Sequence, residues 1–135
     1  PRTSSAASDV YKRQVNEWRR ETKLRGAFKD APKHKVVEWF WSYVATLSHT
    51  KKAELLRWAT GSARCPLGGF AKLHGREGVL RPFTLTSVEL AQCAYPRAHT
   101  CFNRIDLPLF ANQRDLADAF AVALDPRHAE AFSMD

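Results

Sequence analysis

A cysteine stands within the segment at residues 95–108, which reads YPRAHTCFNRIDLP. Cys101 follows a His-Thr pair and precedes Phe-Asn, and the segment then alternates apolar and polar residues up to a proline. A reactive cysteine is expected at such a place, because the nucleophile is the thiolate and it needs access to solvent. A cysteine that only fills space in a core needs no polar neighbours. The segment therefore favours nucleophilic thiol chemistry at Cys101, with a buried structural cysteine as the alternative.

Four neighbours of Cys101 are candidates for supporting this chemistry. In an extended segment residues i and i+2 share a face, so the His99 imidazole could support the thiolate or receive a substrate's proton. It could equally bond a carbonyl group and shape the loop. Thr100 and Asn103 could direct a donor at an oxyanion, although hydrogen bonds that hold the loop are the favoured role for both. Phe102 is expected to anchor the loop in the core.

Other kinds of site find little support in the sequence. The three cysteines form no C-x-x-C pair and are odd in number, so neither a zinc site nor a disulfide framework is indicated, and we expect no metal and no cofactor. A structural role is favoured for Cys65 and Cys93. The Gly68-Gly69 pair lacks the Gly-Lys-Ser/Thr ending of a phosphate-binding loop and predicts a structural turn.

Size, hydropathy and charge limit the classes of protein to consider. The 135 residues suffice for one compact domain, and no apolar run approaches the roughly 20 residues of a membrane span. The net charge of +7 is uneven, with 14 Lys/Arg against 6 Asp/Glu in residues 1–64 and 7 against 8 in residues 65–135. Trp and Phe interrupt the basic half at core spacing and no nucleic-acid motif is present, so we expect a solvated basic face and no nucleic-acid partner. The free thiols suit a reducing compartment, which predicts the cytoplasm, with the nucleus as a second location.

Periodicity divides the chain into a leading segment and an α/β domain. Residues 1–14 are rich in Ser and Ala without any period, so we expect disorder, and they look like translated adaptor sequence. Apolar residues then recur at helical or alternating spacing, which indicates a small mixed sheet packed with helices. The predicted helices cover residues 15–23, 33–47, a stretch from a Ser48 or Thr50 cap to residue 60, and 113–124 after an Asn112 cap; the predicted strands cover 83–88 and 103–107.

Six blocks of the sequence resemble, in the same order, the C-terminal lobe of HECT-type ubiquitin ligases. They are VNEW at 15–18, VVEWFW at 36–41, LLRWATGSARCPLGGF at 55–70, PFTL at 82–85, AHTCFNRIDLP at 98–108 and a phenylalanine fourth from the end. Together they extend over residues 15–135, and RAHTCFNR with EWFW is most similar to the NEDD4-like branch. The resemblance implies an α/β lobe at residues 15–135 whose N-terminal companion lobe is absent. Tyr95, Ala131 and Cys65 depart from the family pattern, and none of them is the nucleophile.

The resemblance also implies a ubiquitin-protein transferase. Cys101 would accept ubiquitin as a thioester from a ubiquitin-conjugating enzyme, which the missing lobe would bind, and pass it to a substrate lysine. Phe132 would position the C-terminal tail during transfer, or else merely cover the core. Asp135 or the terminal carboxylate would favour deprotonation of the lysine. Two alternatives stay open: a catalytically idle ubiquitin-interacting module and, less favoured, a cysteine hydrolase with a histidine from a distant segment.

Overall fold

The computed structural model describes residues 14–62, 69–70, 73–74 and 79–132. The disorder predicted for residues 1–13, the Gly68 half of the predicted glycine turn, Cys65 and Asp135 all lie outside the described residues. Gln14, which the sequence grouped with the leading segment, is helical.

Helices occupy four stretches of the described residues. The first, α1, covers residues 14–20, and the others are α2 (Lys35–Thr46), α3 (His49–Thr60) and α4 (Gln113–Ala123). Each agrees with a predicted helix to within about three residues at either end. The periodicity of apolar residues thus placed the helices correctly.

Side-chain caps explain where three of these helices begin. The Ser48 hydroxyl accepts from the Lys51 N–H and the Asn112 amide oxygen accepts from the Asp115 N–H, as Ncap residues do. The choice left open between Ser48 and Thr50 is therefore decided for Ser48. At α2 the cap is His34, whose Nδ1 accepts from the Val36 N–H, a role that the sequence did not reveal. Gly61 ends α3 in the left-handed conformation.

The four strands in the described residues form one mixed sheet in the order β1-β2-β4-β3. The strands are β1 (Lys23–Arg25), β2 (Thr84–Val88), β3 (Arg97–His99) and β4 (Arg104–Pro108). β2 pairs in parallel with β1 and β4, whereas β3 pairs with β4 in antiparallel fashion. This confirms the predicted α/β class with a small mixed sheet. β2 and β4 match the predicted strands, while β3 was not predicted.

The core lies between the sheet and the helices. α2 packs on α4, and α3 packs on β3 and β4. Trp18 of α1 is buried: it stacks on Phe70 at 5.4 Å between ring centroids and meets Trp41 and Phe83 edge-on at 5.4 and 5.1 Å. Trp41 of α2 is therefore part of the core. Of the helices in the described ranges, none is both long and apolar enough to cross a membrane.

Candidate active site

Cys101 lies at the tip of a hairpin formed by β3 and β4. A 3-10 turn, Thr100–Phe102, joins the two strands. Ala98 pairs with Ile105 on the face that packs into the core, and both are fully buried. Because side chains alternate along a strand, the opposite face carries the polar residues of the hairpin. The hairpin thus combines an apolar base with a polar upper face next to the thiol.

The Cys101 side chain is half-buried and its thiol is free. Cys101 is therefore not among the fully buried residues of the core, where a purely space-filling cysteine would be expected. Cys93, also half-buried, donates its thiol to the Tyr95 carbonyl oxygen at 3.0 Å. That contact agrees with the structural interpretation of Cys93. In the part of the chain described here, no three His, Cys, Asp or Glu side chains form a group that could hold a metal ion.

The buried side chain of Asn103 holds the turn at Cys101 in place. Asn103 has a φ of 52° in the left-handed region, which Asn tolerates better than most residues, and its side chain is buried. Its Nδ2 donates to the carbonyl oxygens of His74 at 3.0 Å and Arg81 at 2.8 Å. Both amide hydrogens are thereby directed at the backbone, so the geometry is that of a residue shaping the loop and not of an oxyanion donor. Thr100 begins the turn, and its carbonyl oxygen accepts from the Asn103 N–H at 3.4 Å.

His99 is the last residue of β3, and its imidazole Nε2 lies 2.7 Å from Asp106 Oδ2. The shared-face argument for His99 and Cys101 is wrong, because the extended backbone ends at His99 and Cys101 lies in the turn. The sequence also missed Asp106, which pairs with the imidazole across the hairpin. The alternation of the sequence is compatible with a hairpin whose turn lies at Cys101. Only knowledge of the strand register would have placed His99 and Asp106 on the same face of that hairpin.

Phe102 is not an anchor in the core, contrary to the prediction, since 43% of it is exposed. The 3-10 turn directs its ring outward, where the guanidinium carbons of Arg81 and Arg104 lie 5.7 and 5.9 Å from the ring centroid. Contacts of this kind are favourable for an exposed ring. Phe102 therefore belongs to the surface beside Cys101.

Phe132 ends a 3-10 helix, Ala129–Phe132, and is half-buried. Its ring packs on Tyr95 with the centroids 5.3 Å apart, and it covers the edge of the core. This is the arrangement of a tail residue that covers the core, the alternative considered from the sequence. Tyr95 is also one of the three positions at which the sequence departs from the family pattern.

Comparison with known proteins identifies the family. The family model of the HECT-domain (ubiquitin-transferase) matches residues 5–135. The chain belongs to the HECT-domain family. The match begins at residue 5, inside the leading segment of residues 1–14. The origin of that segment from an adaptor sequence stays a prediction.

Relatives of this HECT chain include E3 ubiquitin-protein ligase NEDD4 from Homo sapiens, Rattus norvegicus and Mus musculus. Each is 38% identical over 111 residues, which is 82% of this chain. The similarity to the NEDD4-like branch is thus confirmed. The chain spans only 8% of the human relative and 12% of the rat and mouse relatives.

Proposed function

We propose that this HECT chain is the part of a ubiquitin ligase that carries ubiquitin on Cys101. The observation that supports the proposal is a free, half-buried thiol at the tip of the β3–β4 hairpin, in a member of the HECT-domain family. Residues 15–135 would form the C-terminal lobe. Ubiquitin, a ubiquitin-conjugating enzyme and substrate lysines would be the partners, in the cytoplasm or the nucleus.

The chemistry consists of two acyl transfers. In the first, Cys101 Sγ attacks the carbonyl carbon of the thioester on the conjugating enzyme; a new C–S bond forms, the old one breaks, and the enzyme's thiol leaves. One thioester replaces another, so the step is nearly thermoneutral and needs an accessible, partly ionised thiol more than a strong base. In the second, a neutral lysine Nζ attacks the carbonyl carbon of the new thioester; the C–N bond forms, the C–S bond breaks, Nζ loses one proton to solvent, and Cys101 leaves as thiolate.

The test is the formation of a reductant-sensitive adduct. The chain is incubated either with conjugating enzyme charged with ubiquitin or with the ubiquitin thioester of a small thiol, and the products are separated without reductant. We expect an adduct with wild type and with Cys93→Ala, which retains Cys101, and none with Cys101→Ala. Circular dichroism of each variant confirms that it is folded.

Other outcomes would favour the alternative functions. Binding of ubiquitin without an adduct from either donor would contradict the proposal and favour an idle ubiquitin-interacting module. Steady release of free ubiquitin from a ubiquitin-protein conjugate would favour a hydrolase. An adduct that persists in Cys101→Ala and disappears in Cys93→Ala would show that Cys93 carries ubiquitin, which would contradict the proposal.

A further inference from the structure

A groove lies between α1, β1 and the start of α2. Its volume is about 620 Å³, a size typical of sites that bind ligands. Apolar side chains form part of its lining: Leu24 of β1 is half-buried, and Val37 and Trp41 of α2 are buried. The groove therefore reaches the edge of the core and offers an apolar surface to a side chain from outside the molecule.

Positive charge dominates the polar part of this lining. Arg19, Arg20 and Lys33 contribute cations, and Glu38 contributes a carboxylate. Arg19 Nη2 forms an ion pair with Glu38 Oε1 and lies 3.4 Å from the Pro32 carbonyl oxygen, so one cation is committed to that carboxylate. Arg20 and Lys33 are exposed, and neither forms an ion pair within the part of the chain that the structure describes. Two positive charges at the groove thus remain available to a ligand.

The segment around the groove carries the same sign of charge. Residues 14–38 supply most of the lining and contain seven Lys or Arg against four Asp or Glu. Two of those carboxylates are engaged, since Glu38 pairs with Arg19 and Glu17 Oε2 accepts from the Phe70 N–H at 3.1 Å. The local potential therefore favours an anionic ligand.

The apolar part of the lining distinguishes a peptide from a nucleic acid. Sites for single-stranded nucleic acids combine cations with aromatic rings on which the bases stack. The aromatic side chain in this lining is Trp41, and only 3% of it is exposed, so its ring offers no face to a base. A peptide requires only that one of its apolar side chains fit beside Leu24.

We propose that this groove is a docking site for an acidic peptide segment with one apolar anchor. The anchor side chain contacts Leu24 and Trp41, and carboxylates on either side of it pair with Arg20 and Lys33. Exposed pairs of this kind add specificity and speed of association more than affinity, whereas the anchor supplies buried apolar area. The inference is independent of the chemistry proposed for Cys101.

The first test measures binding of a fluorescein-labelled peptide, EEDLFDEE, to the whole chain by fluorescence anisotropy at low salt. We expect saturable binding with a Kd of roughly 100 μM or tighter. Peptide EEDGGDEE keeps the charges without the anchor, KKKLFKKK keeps the anchor with opposite charges, and each should bind at least about tenfold more weakly. Absence of saturable binding of EEDLFDEE, or equal affinity for EEDGGDEE, would overturn the inference.

Charge reversal locates the site. Arg20→Glu and Lys33→Glu should each weaken binding of EEDLFDEE by about fivefold or more, because an attractive pair becomes a repulsive one. Arg114→Glu, at an exposed position of α4, makes the same change in net charge away from the groove and should stay within about twofold of wild type. Circular dichroism confirms that each variant is folded. An equal loss in all three variants would reveal unspecific attraction and overturn the inference.

The last test needs no variant. Addition of EEDLFDEE to the wild-type chain should shift the amide signals of Leu24 and Val37 and the indole N–H signal of Trp41 in nitrogen–proton correlation spectra. The amide signals of the first turn of α4 should stay in place. Shifts confined to other parts of the chain would overturn the inference. Displacement of the labelled peptide by a short oligouridylate at lower concentration than by unlabelled EEDLFDEE would overturn it in favour of a nucleic-acid site.

Discussion

At the scale of single residues, Asn103 connects the turn beneath Cys101 to two other segments of the chain. Its Nδ2 holds the carbonyl groups of residues 74 and 81, and its own carbonyl accepts from the Thr84 N–H at 2.9 Å. These bonds join the turn to β2 and to the stretch before it. A residue without this amide would lose both part-buried hydrogen bonds, at a position whose left-handed backbone conformation only a few residue types tolerate.

Asn103→Ala should lower the free energy of unfolding by roughly 2–4 kcal/mol, because two part-buried hydrogen bonds are lost and alanine is strained at positive φ. Asn103→Gly removes the same hydrogen bonds without the strain and should cost about 1 kcal/mol less. Urea unfolding measures both. Asn112→Ala, which removes only the exposed cap of α4, serves as the reference at about 1 kcal/mol. Equal costs for the Ala and Gly variants would show that φ strain contributes nothing at this position.

At the scale of elements, the sequence predicted the helices, whose apolar residues recur with a period, and missed short elements that have no period. α2, α3 and α4 contain 11 or 12 residues each, enough for several helical turns with recurring apolar side chains. β3 and the turn at Cys101 contain three residues each, and β3 exists only because β4 pairs with it. The error at Phe102 and the omission of Asp106 have this same origin, since the turn and the register decide both.

Two glycines with positive φ differ in the space around them, so their substitutions distinguish backbone strain from steric crowding of an added Cβ. At Gly61, with a φ of 83°, an added Cβ would meet nothing within 4 Å. At Gly26, with a φ of 69°, it would overlap with Ser87 Oγ, which accepts from the Ala27 N–H at 2.7 Å. Only the second substitution therefore disturbs the link between β2 and the turn after β1.

Gly61→Ala should cost about 1 kcal/mol of unfolding free energy, from strain alone, and Gly26→Ala roughly 2–3 kcal/mol, since it also displaces Ser87 Oγ from its hydrogen bond. In a Ser87→Ala background the added methyl meets no hydroxyl, so Gly26→Ala should cost only about as much as Gly61→Ala. Urea unfolding of the wild type, Gly26→Ala, Ser87→Ala and the double variant completes this double-mutant cycle. A coupling energy near zero between positions 26 and 87 would contradict the assignment of crowding.

At the scale of the whole molecule, the chain matches about a tenth of the length of the NEDD4 relatives. Under the proposed function, binding of the conjugating enzyme depends on a lobe outside residues 15–135. The free chain must then meet the charged enzyme by diffusion, without a surface that holds the two thiols together. Loading of the free chain should therefore be slow.

A chimera tests this dependence. Replacing the matched 111 residues of human NEDD4 with those of this chain should raise the rate of loading from charged conjugating enzyme by about a hundredfold over the free chain, through the higher effective concentration of the thioester. Rapid-quench kinetics measure both rates, with Cys101→Ala in the chimera as the blank. Equal rates in the chimera and the free chain would count against the assignment of residues 15–135 as a lobe that depends on a companion.

Trp18 has a consequence for the support of the hairpin that bears the thiol. Its buried ring joins α1 to Trp41 of α2 and to Phe83, which directly precedes β2. Because β2 pairs with β4, the second strand of that hairpin, α1 and the hairpin rest on the same aromatic packing. A substitution that shrinks the ring of Trp18 would therefore loosen the foundation of the thiol from the far side of the sheet's first strands.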